Sequence, residues 1–237
     1  MQEINTQIVG KTRSSYKYIT LLCTLVITSF MLDSIVQNYF VSLGSHYICA
    51  ALLVFPPSYM ICDIIAEVYG FKQARQILWC GLFSWLISGV VINIIIKLPY
   101  PVFWSNYSVA FRYVMAPYFH NILAIFLSVV VGQYLNILAI SKLKILTKGK
   151  YFWLRAVSSS FVGDFATVSL ATIGVFFGSL LTGQLFKLIL LEFVLGLIYE
   201  AIAAFLGMYI IAFLKKSEGI DVFDTKTNFN PFILATE

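Results

Sequence analysis

Charged residues are scarce in this chain. Only 11% of its 237 residues are Asp, Glu, Lys or Arg, while 60% are hydrophobic; a soluble domain carries about 25% charged residues. Apolar stretches recur from residue 18 to residue 214, with no polar interval long enough for a separate domain. The composition therefore predicts one integral membrane domain over residues 18–214, between an N-terminal tail of residues 1–17 and a C-terminal tail of residues 215–237.

Sequence motifs of enzymes and metal sites are missing as well. The four cysteines have no spacing that suits zinc or redox chemistry. Neither a phosphate-binding Gly-x-x-x-x-Gly-Lys-Ser/Thr loop nor a Gly-x-Ser-x-Gly or His-Glu-x-x-His motif occurs. The net charge of +5 does not point to nucleic acid, because the basic residues lie between apolar stretches. We expect no enzymatic activity, no metal and no cofactor, and partners limited to the lipid bilayer and a small molecule, with a second copy or a separate energising protein as further options.

Six continuous apolar stretches are each long enough for a membrane-spanning helix, which needs about 20 residues. Helices are favoured over barrel strands because apolar residues do not alternate with polar ones. The predicted fold is an all-α integral membrane protein with six transmembrane helices, a number that would divide into 3+3 repeats. The stretches are residues 18–38, 47–68, 77–97, 122–143, 156–178 and 186–214.

The positions of Lys and Arg predict the orientation. With the N-terminus in the cytoplasm, only three of the 16, Lys97, Arg112 and Lys187, lie on the opposite side. Cytoplasmic loops of membrane proteins are enriched in these residues. Both termini are therefore expected to be cytoplasmic.

Two stretches depart from the plain helical pattern. Pro56 and Pro57 interrupt the second stretch, and since proline removes a backbone hydrogen bond, that helix is predicted to kink or break there. The segment from Leu98 to Asn121 is rich in proline and aromatic residues and too long for a tight connection. It is expected to lie along the outer interface or to re-enter the membrane, although simple anchoring would also explain its aromatic residues.

Acidic residues inside the apolar stretches are candidates for a functional site, because an ionisable group at bilayer depth costs at least about 2.5 kcal/mol. Asp63 and Glu67 are four residues apart and therefore share one helical face. Alternatively, Glu67 reaches the headgroups and pairs with Lys72 or Arg75, and Glu192 could pair with Lys187. The central acidic candidates are Asp33, Asp63, Glu67, Asp164 and Glu200.

Polar neighbours add further candidates. Ser158, Ser159, Ser160 and Gly163 precede Asp164, and such residues let helices pack closely, but packing does not explain the carboxylate. His120 opens the fourth helix, where it could contact a substrate, titrate with pH, or only cap the helix.

A denser pattern runs from Phe55 to Gly70, with two prolines, an aspartate, a glutamate and a Tyr-Gly pair. The pattern continues in five further places along the chain. These are Gly132-Gln133, the basic loop from Leu143 to Lys150, Trp153-Leu154-Arg155, Lys187 with Tyr199, and the tail from Asn228 to Phe232. On these residues the chain resembles the queuosine precursor transporter family, also called the vitamin uptake transporter family, of bacterial inner membranes. It departs from the family pattern at three positions. The family tends to have an asparagine where this chain has Asp33 and an arginine where it has His120. In helix five the family's acidic residue lies about one turn later, near Thr167, rather than at Asp164.

The resemblance implies uptake of a 7-deazaguanine such as preQ0, preQ1 or queuine, precursors of a modified tRNA base, across the inner membrane. A guanine-like edge offers N1–H and a 2-amino group, which a carboxylate accepts as a charge-assisted pair. Asp63 and Glu67 would line the site with Asp164 opposite, and Arg155 and Lys187 would support it. The predicted substrate-binding residues are Asp33, Asp63, Glu67, His120, Arg155, Ser159, Asp164, Lys187 and Glu200.

Three alternatives stay open at this point. The chain could carry another vitamin-like or nucleobase-like molecule, or bind without transporting. An aspartyl intramembrane enzyme would use two membrane aspartates as an acid-base pair. Its Tyr-Asp and Gly-x-Gly-Asp motifs are incomplete here, since Cys62 precedes Asp63 and Phe161 stands where the first glycine is required.

Overall fold

The structure, a computed structural model, describes residues 16–44, 46–225 and 227–232. Expectations for Lys11 and Arg13 in the N-terminal tail, and for Lys226, lie outside these residues. Within them the chain forms helices and a single β-hairpin. In chain order the elements are α1 (Ile19–Val36), β1 (Phe40–Leu43), β2 (His46–Cys49), α2 (Phe55–Tyr69), α3 (Phe71–Ile95), α4 (Ser105–Met115), α5 (Tyr118–Leu146), α6 (Phe152–Phe176) and α7 (Thr182–Glu218).

Six helical segments of the described chain are long and apolar enough to cross a membrane, which confirms the predicted all-α membrane fold. Each predicted stretch overlaps one of them. Helices α3 and α7 are longer than predicted because polar and basic residues next to the apolar run are also helical. Helix α3 begins at Phe71 rather than at residue 77, and α7 ends at Glu218 rather than at residue 214.

The second apolar stretch is broken at its prolines, as predicted. Ala50–Leu53 form a 3₁₀ turn, and α2 begins only at Phe55. Pro56 and Pro57 therefore lie in the first helical turn, where backbone N–H groups have no helical partner in any case. The predicted helix start at residue 47 is wrong, because residues 47–49 belong to β2, which pairs antiparallel with β1.

Gly70 joins α2 to α3 without a loop. Its φ of 86° lies in the region that favours glycine. A Cβ atom there would lie 2.7 Å from Cγ1 of Val222, in the segment after α7. This segment, residues 219–225 and 227–232, is called the C-terminal tail below. It packs across the α2–α3 joint, and this side of the helix bundle is called the tail end; the opposite side, which carries β1 and β2, is called the hairpin end.

The aromatic segment between α3 and α5 forms the separate helix α4. None of the α4 residues is buried, and Tyr107 and Tyr113 are exposed. The guanidinium of Arg112 lies over the ring of Tyr100, 4.5 Å from its centroid. An exposed aromatic helix suits a membrane interface, and the interfacial placement stays a prediction.

Helix α2 is the central helix of the bundle. In its membrane span 67% of the residues are buried, against 28% to 44% in the other five spans. It packs against α1, α3, α5 and α7. Polar side chains on α2 therefore face protein on nearly all sides, and any site built on them lies inside the bundle.

Candidate functional site

The buried acidic side chains of the described membrane helices form three groups along the bundle. All six are at least nine-tenths buried, but they differ in what surrounds them. They are Asp33 and Glu192 towards the hairpin end, Asp63, Asp164 and Glu200 in the middle, and Glu67 at the tail end.

Glu67 lies among three cations. Its Oε2 accepts a hydrogen bond of 2.7 Å from Nη1 of Arg155, and its Oε1 lies 2.8 Å from Nζ of Lys215 and 3.8 Å from Nζ of Lys144. Only 2% of Glu67 and 1% of Arg155 and Lys144 are exposed. A buried carboxylate with this many partners is held firmly, because loss of one member would leave buried charges uncompensated.

These partners are not the ones that the local sequence suggests. Lys72 and Arg75 follow Glu67 closely in the chain, but the guanidinium of Arg75 donates to the backbone O of Asn228 and of Asn230, at 3.1 and 2.6 Å. The cations around Glu67 come from α5, α6 and α7, far along the chain. Reading from neighbours in sequence cannot find such partners.

The C-terminal tail is bound into the same network. Nζ of Lys144 donates to Oδ1 of Asp221, to the backbone O of Val222 and to the backbone O of Glu67, at 2.6, 2.6 and 2.5 Å. Nζ of Lys215 lies 2.9 Å from Asp221. Although burial alone raises it, the hydrogen bonds from the two lysines hold the pKa of Asp221 below its ordinary value of 3.8. The tail end is thus closed by ion pairs.

Carboxylates in the middle of the bundle have a different environment. Asp63, Asp164 and Glu200 interact electrostatically with one another across α2, α6 and α7, and we call them the central cluster. None of them forms an ion pair within the described part of the chain. Oδ1 of Asp63 accepts a hydrogen bond of 2.6 Å from Asn136. Among the described residues, none forms a hydrogen bond with Oδ2 of Asp63, Oδ1 of Asp164 or either oxygen of Glu200.

Amide and hydroxyl groups without partners lie beside these carboxylates. Gln133 is fully buried, and neither its Nε2 nor its Oε1 has a hydrogen bond to any residue that the structure describes; the same holds for Oδ1 of Asn136 and Oγ of Ser160. Gln133 lies next to Cys62, and Ser160 next to Glu200. Buried polar groups are normally hydrogen-bonded, so this concentration of unpaired atoms marks the middle of the bundle as the candidate site.

Sequence reasoning missed the amides as site residues, although a signal was present. Gln133 and Asn136 are three residues apart in the otherwise apolar α5 and therefore share one helical face.

Helices α5 and α6 approach each other closely beside the cluster. A Cβ atom at Gly132 would overlap the hydroxyl of Thr167 and lie 2.5 Å from the backbone O of Gly163. The Thr167 hydroxyl forms a short hydrogen bond with the hydroxyl of Tyr59, and Tyr59 interacts electrostatically with Asp164. This hydrogen bond connects α2 to α6 on the hairpin side of the cluster.

A small cavity lies beyond that hydrogen bond, towards the hairpin end. It has a volume of about 50 Å³ and is lined by Asp33, Glu192 and Thr167, among others. Glu192 accepts hydrogen bonds from the backbone N of Cys49 and from the hydroxyl of Thr172, at 3.4 and 3.3 Å, so it does not form the suggested pair with Lys187. Small-molecule pockets usually measure about 300 to 1,000 Å³. In this conformation the bundle is closed around the cluster.

Six predicted site residues do not join the central cluster. Asp33 belongs to the hairpin-end group and Glu67 to the tail-end group. Arg155 belongs to the Glu67 network, and the hydroxyl of Ser159 donates to a carbonyl of its own helix at 2.9 Å. His120 and Lys187 are exposed. Lys187 lines a groove of about 670 Å³ on the outside of α7, but this larger space contains no buried acid, and leucine and valine dominate its lining. Such a surface suits lipid chains better than a polar substrate.

Comparison with known families gives a match over most of the chain. The sequence profile of a family described as "Putative vitamin uptake transporter" matches residues 49–213. This range contains the whole central cluster and Glu67. Neither the curated proteins nor the solved structures give a match.

Proposed function

This chain belongs to the vitamin uptake transporter family, and from that premise we propose that it carries a queuosine precursor, a 7-deazaguanine such as preQ0, preQ1 or queuine, across the bacterial inner membrane. Its family and its six apolar spans make it a multi-pass membrane protein that transports a small molecule. The narrower proposal concerns the substrate, the membrane and the residues that bind.

The observation that carries this proposal is the set of unpaired polar atoms on facing sides of α2 and α5. A 7-deazaguanine offers N1–H and a 2-amino group as donors, with O6 as an acceptor beside them. Asp63 can accept from the two donors, and Nε2 of Gln133 can donate to O6. A ligand without this edge would leave buried groups unpaired, which costs about 1–3 kcal/mol for each group.

Access to this site requires the bundle to open. The Glu67 network and the C-terminal tail close one end, and the hydrogen bond between Tyr59 and Thr167 lies towards the other. Membrane transporters commonly open such closures in turn around a fixed site near the membrane centre. We place the transport domain at residues 18–214 and the tail end in the cytoplasm, in agreement with the distribution of Lys and Arg.

The proposal is tested by restoring a modified base. Cells that can neither make nor import the precursors would express this protein, receive preQ0, preQ1 or queuine, and have queuosine measured in their tRNA. We expect restoration with at least one precursor, and its loss in Asp63→Asn at unchanged membrane abundance. Glu218→Gln is the control, because Glu218 lies outside the central cluster. Its amide oxygen can still accept the bonds that Oε1 receives from the backbone N of Tyr18 and the hydroxyl of Tyr69, and only the bond from the backbone N of Lys17 to Oε2 is lost.

One result of this assay would contradict the proposed substrate. If no precursor restores the modification while the protein is present in the membrane, the 7-deazaguanine proposal is wrong. Uptake of another vitamin-like or nucleobase-like compound by the same cells would then identify the substrate class instead.

A further inference from the structure

We infer that the transported ligand is a cation, a 7-deazaguanine with an ammonium on its side group such as preQ1, in preference to an uncharged one such as preQ0. The inference rests on the proposed function and narrows it. It concerns the charge that the central cluster is built to receive.

The central cluster has an excess of acidic groups. Asp63, Asp164 and Glu200 contribute three carboxyl groups, and no lysine or arginine of the described chain donates a hydrogen bond to any of them. Arg155 acts electrostatically on Asp63, yet its hydrogen bonds go to Glu67 and to the backbone O atoms of Gly149 and Lys150. The nearby positive charges are therefore already committed to the tail end.

A metal ion does not suit this excess of acid. In the residues that the structure describes, no three His, Cys, Asp or Glu side chains are grouped so that they could hold a metal ion. The three carboxyl groups of the cluster are therefore not arranged as ligands of a single ion. An organic cation, with a ring at one end and an ammonium at the other, can reach groups on several helices at once.

Each part of such a ligand has a place in this arrangement. The amide of Gln133 is neutral and lies beside α2, so with Asp63 it suits the guanine-like edge. Glu200 lies across the bundle on α7 with both oxygens unpaired and only 1% of the residue exposed. Together with Asp164 it can accept an ammonium, which donates up to three hydrogen bonds. Charge-assisted hydrogen bonds of this kind are about twice as strong as neutral ones.

The matched ligands preQ0 and preQ1 test the inference. They share the deazaguanine ring, and preQ0 carries an uncharged nitrile where preQ1 carries an aminomethyl group. Initial uptake of each would be measured in cells or in proteoliposomes containing the full-length protein. We expect the wild-type protein to show at least a tenfold lower KM for preQ1, and Glu200→Gln to lose most of this preference while still transporting preQ0. Glu218→Gln, outside the cluster, should keep the wild-type ratio.

Each result supports or overturns the inference separately from the proposed function. Equal or better transport of preQ0 by the wild-type protein overturns the cation inference and leaves the 7-deazaguanine proposal standing. An unchanged ratio in both Glu200→Gln and Asp164→Asn also overturns it, as does equal loss of both ligands in Glu200→Gln at unchanged membrane abundance. If neither ligand nor queuine is transported, the proposed function fails, and the inference fails with it. Transport of queuine alone, whose side group also carries an ammonium, supports the inference. The wild-type ratio decides the matter even if a variant does not fold.

Discussion

Glu67 and Glu200 are two glutamates of membrane helices that are almost equally buried, with 2% and 1% exposed. Glu67 lies within 3.8 Å of three cations, whereas neither oxygen of Glu200 has a hydrogen-bond partner in the described part of the chain. Burial of a carboxylate is costly in both places. At Glu67 the protein itself compensates the charge with cations, and at Glu200 it does not.

This difference separates a structural role from a ligand-binding role. The Glu67 network joins the four helices α2, α5, α6 and α7 to the C-terminal tail and closes the tail end. The central cluster spends stability on unpaired groups, which is typical of a site whose partner arrives from outside. A buried acid in a membrane helix is therefore only a candidate, and its neighbours decide what it does.

Glu67→Gln and Glu200→Gln should have opposite effects on stability. Removing Glu67 leaves Arg155 and Lys144 buried with one acceptor fewer, and breaking a buried ion pair costs about 3–5 kcal/mol. The midpoint of thermal unfolding in detergent should fall by about 10 °C. Glu200→Gln removes an unpaired carboxylate, so the midpoint should stay the same or rise while uptake falls. Equal loss of stability in both variants would remove the distinction between the two regions.

Gly132→Ala should damage the central cluster while leaving the Glu67 network in place. The added methyl group would collide with Thr167 and with the backbone of Gly163, which forces α5 and α6 apart. Overpacking of this kind costs about 1–3 kcal/mol, and uptake should fall by more than tenfold because the site geometry changes. Gly196→Ala is the control, since a Cβ atom there has no atom within 4 Å and alanine favours the helix. Normal uptake by Gly132→Ala would show that this close approach is not needed.

Lys215→Met should loosen the tail end without unfolding the protein. Glu67 would keep Arg155 and Lys144 as partners, so the free energy of unfolding should fall by only about 1 kcal/mol. The buried thiol of Cys62, beside Gln133, should react several-fold faster with a maleimide reagent in a variant that retains only this cysteine. Lys216→Met is the matched control, because Lys216 is exposed and takes no part in the network. Identical reaction rates in the two variants would argue against closure by ion pairs.

Acid should release the tail through Asp221, with the smallest effect of the four. Because the pKa of Asp221 is lowered in the folded protein, its contribution is complete above the ordinary value of 3.8 and is lost as the pH falls through the lowered folded value. The anisotropy of a dye at Phe232→Cys should therefore drop below about pH 4. Asp221→Asn should remove this step, and a step that persists in that variant would assign it to another group.

Much of the fold could be predicted from the sequence, and the site only in part. The six spans and the break at Pro56 follow from local properties, namely run length and the missing proline N–H. The start of α2 was placed too early because the residues of β2 are also apolar. Asp63, Asp164 and Glu200 were found as buried acids, but the unpaired amide of Gln133 was not, since hydrogen-bond partners are set by other helices.

The sequence by itself determined that this chain forms membrane-spanning helices and that several acids lie inside them, because apolar length and ionisable type are properties of a local stretch. Only the tertiary structure decided which of these acids has a protein partner. The cations around Glu67 stand 77, 88 and 148 residues away in the chain, and ion pairs depend on distance in space. Packing brings those cations to Glu67 and leaves Glu200 without one.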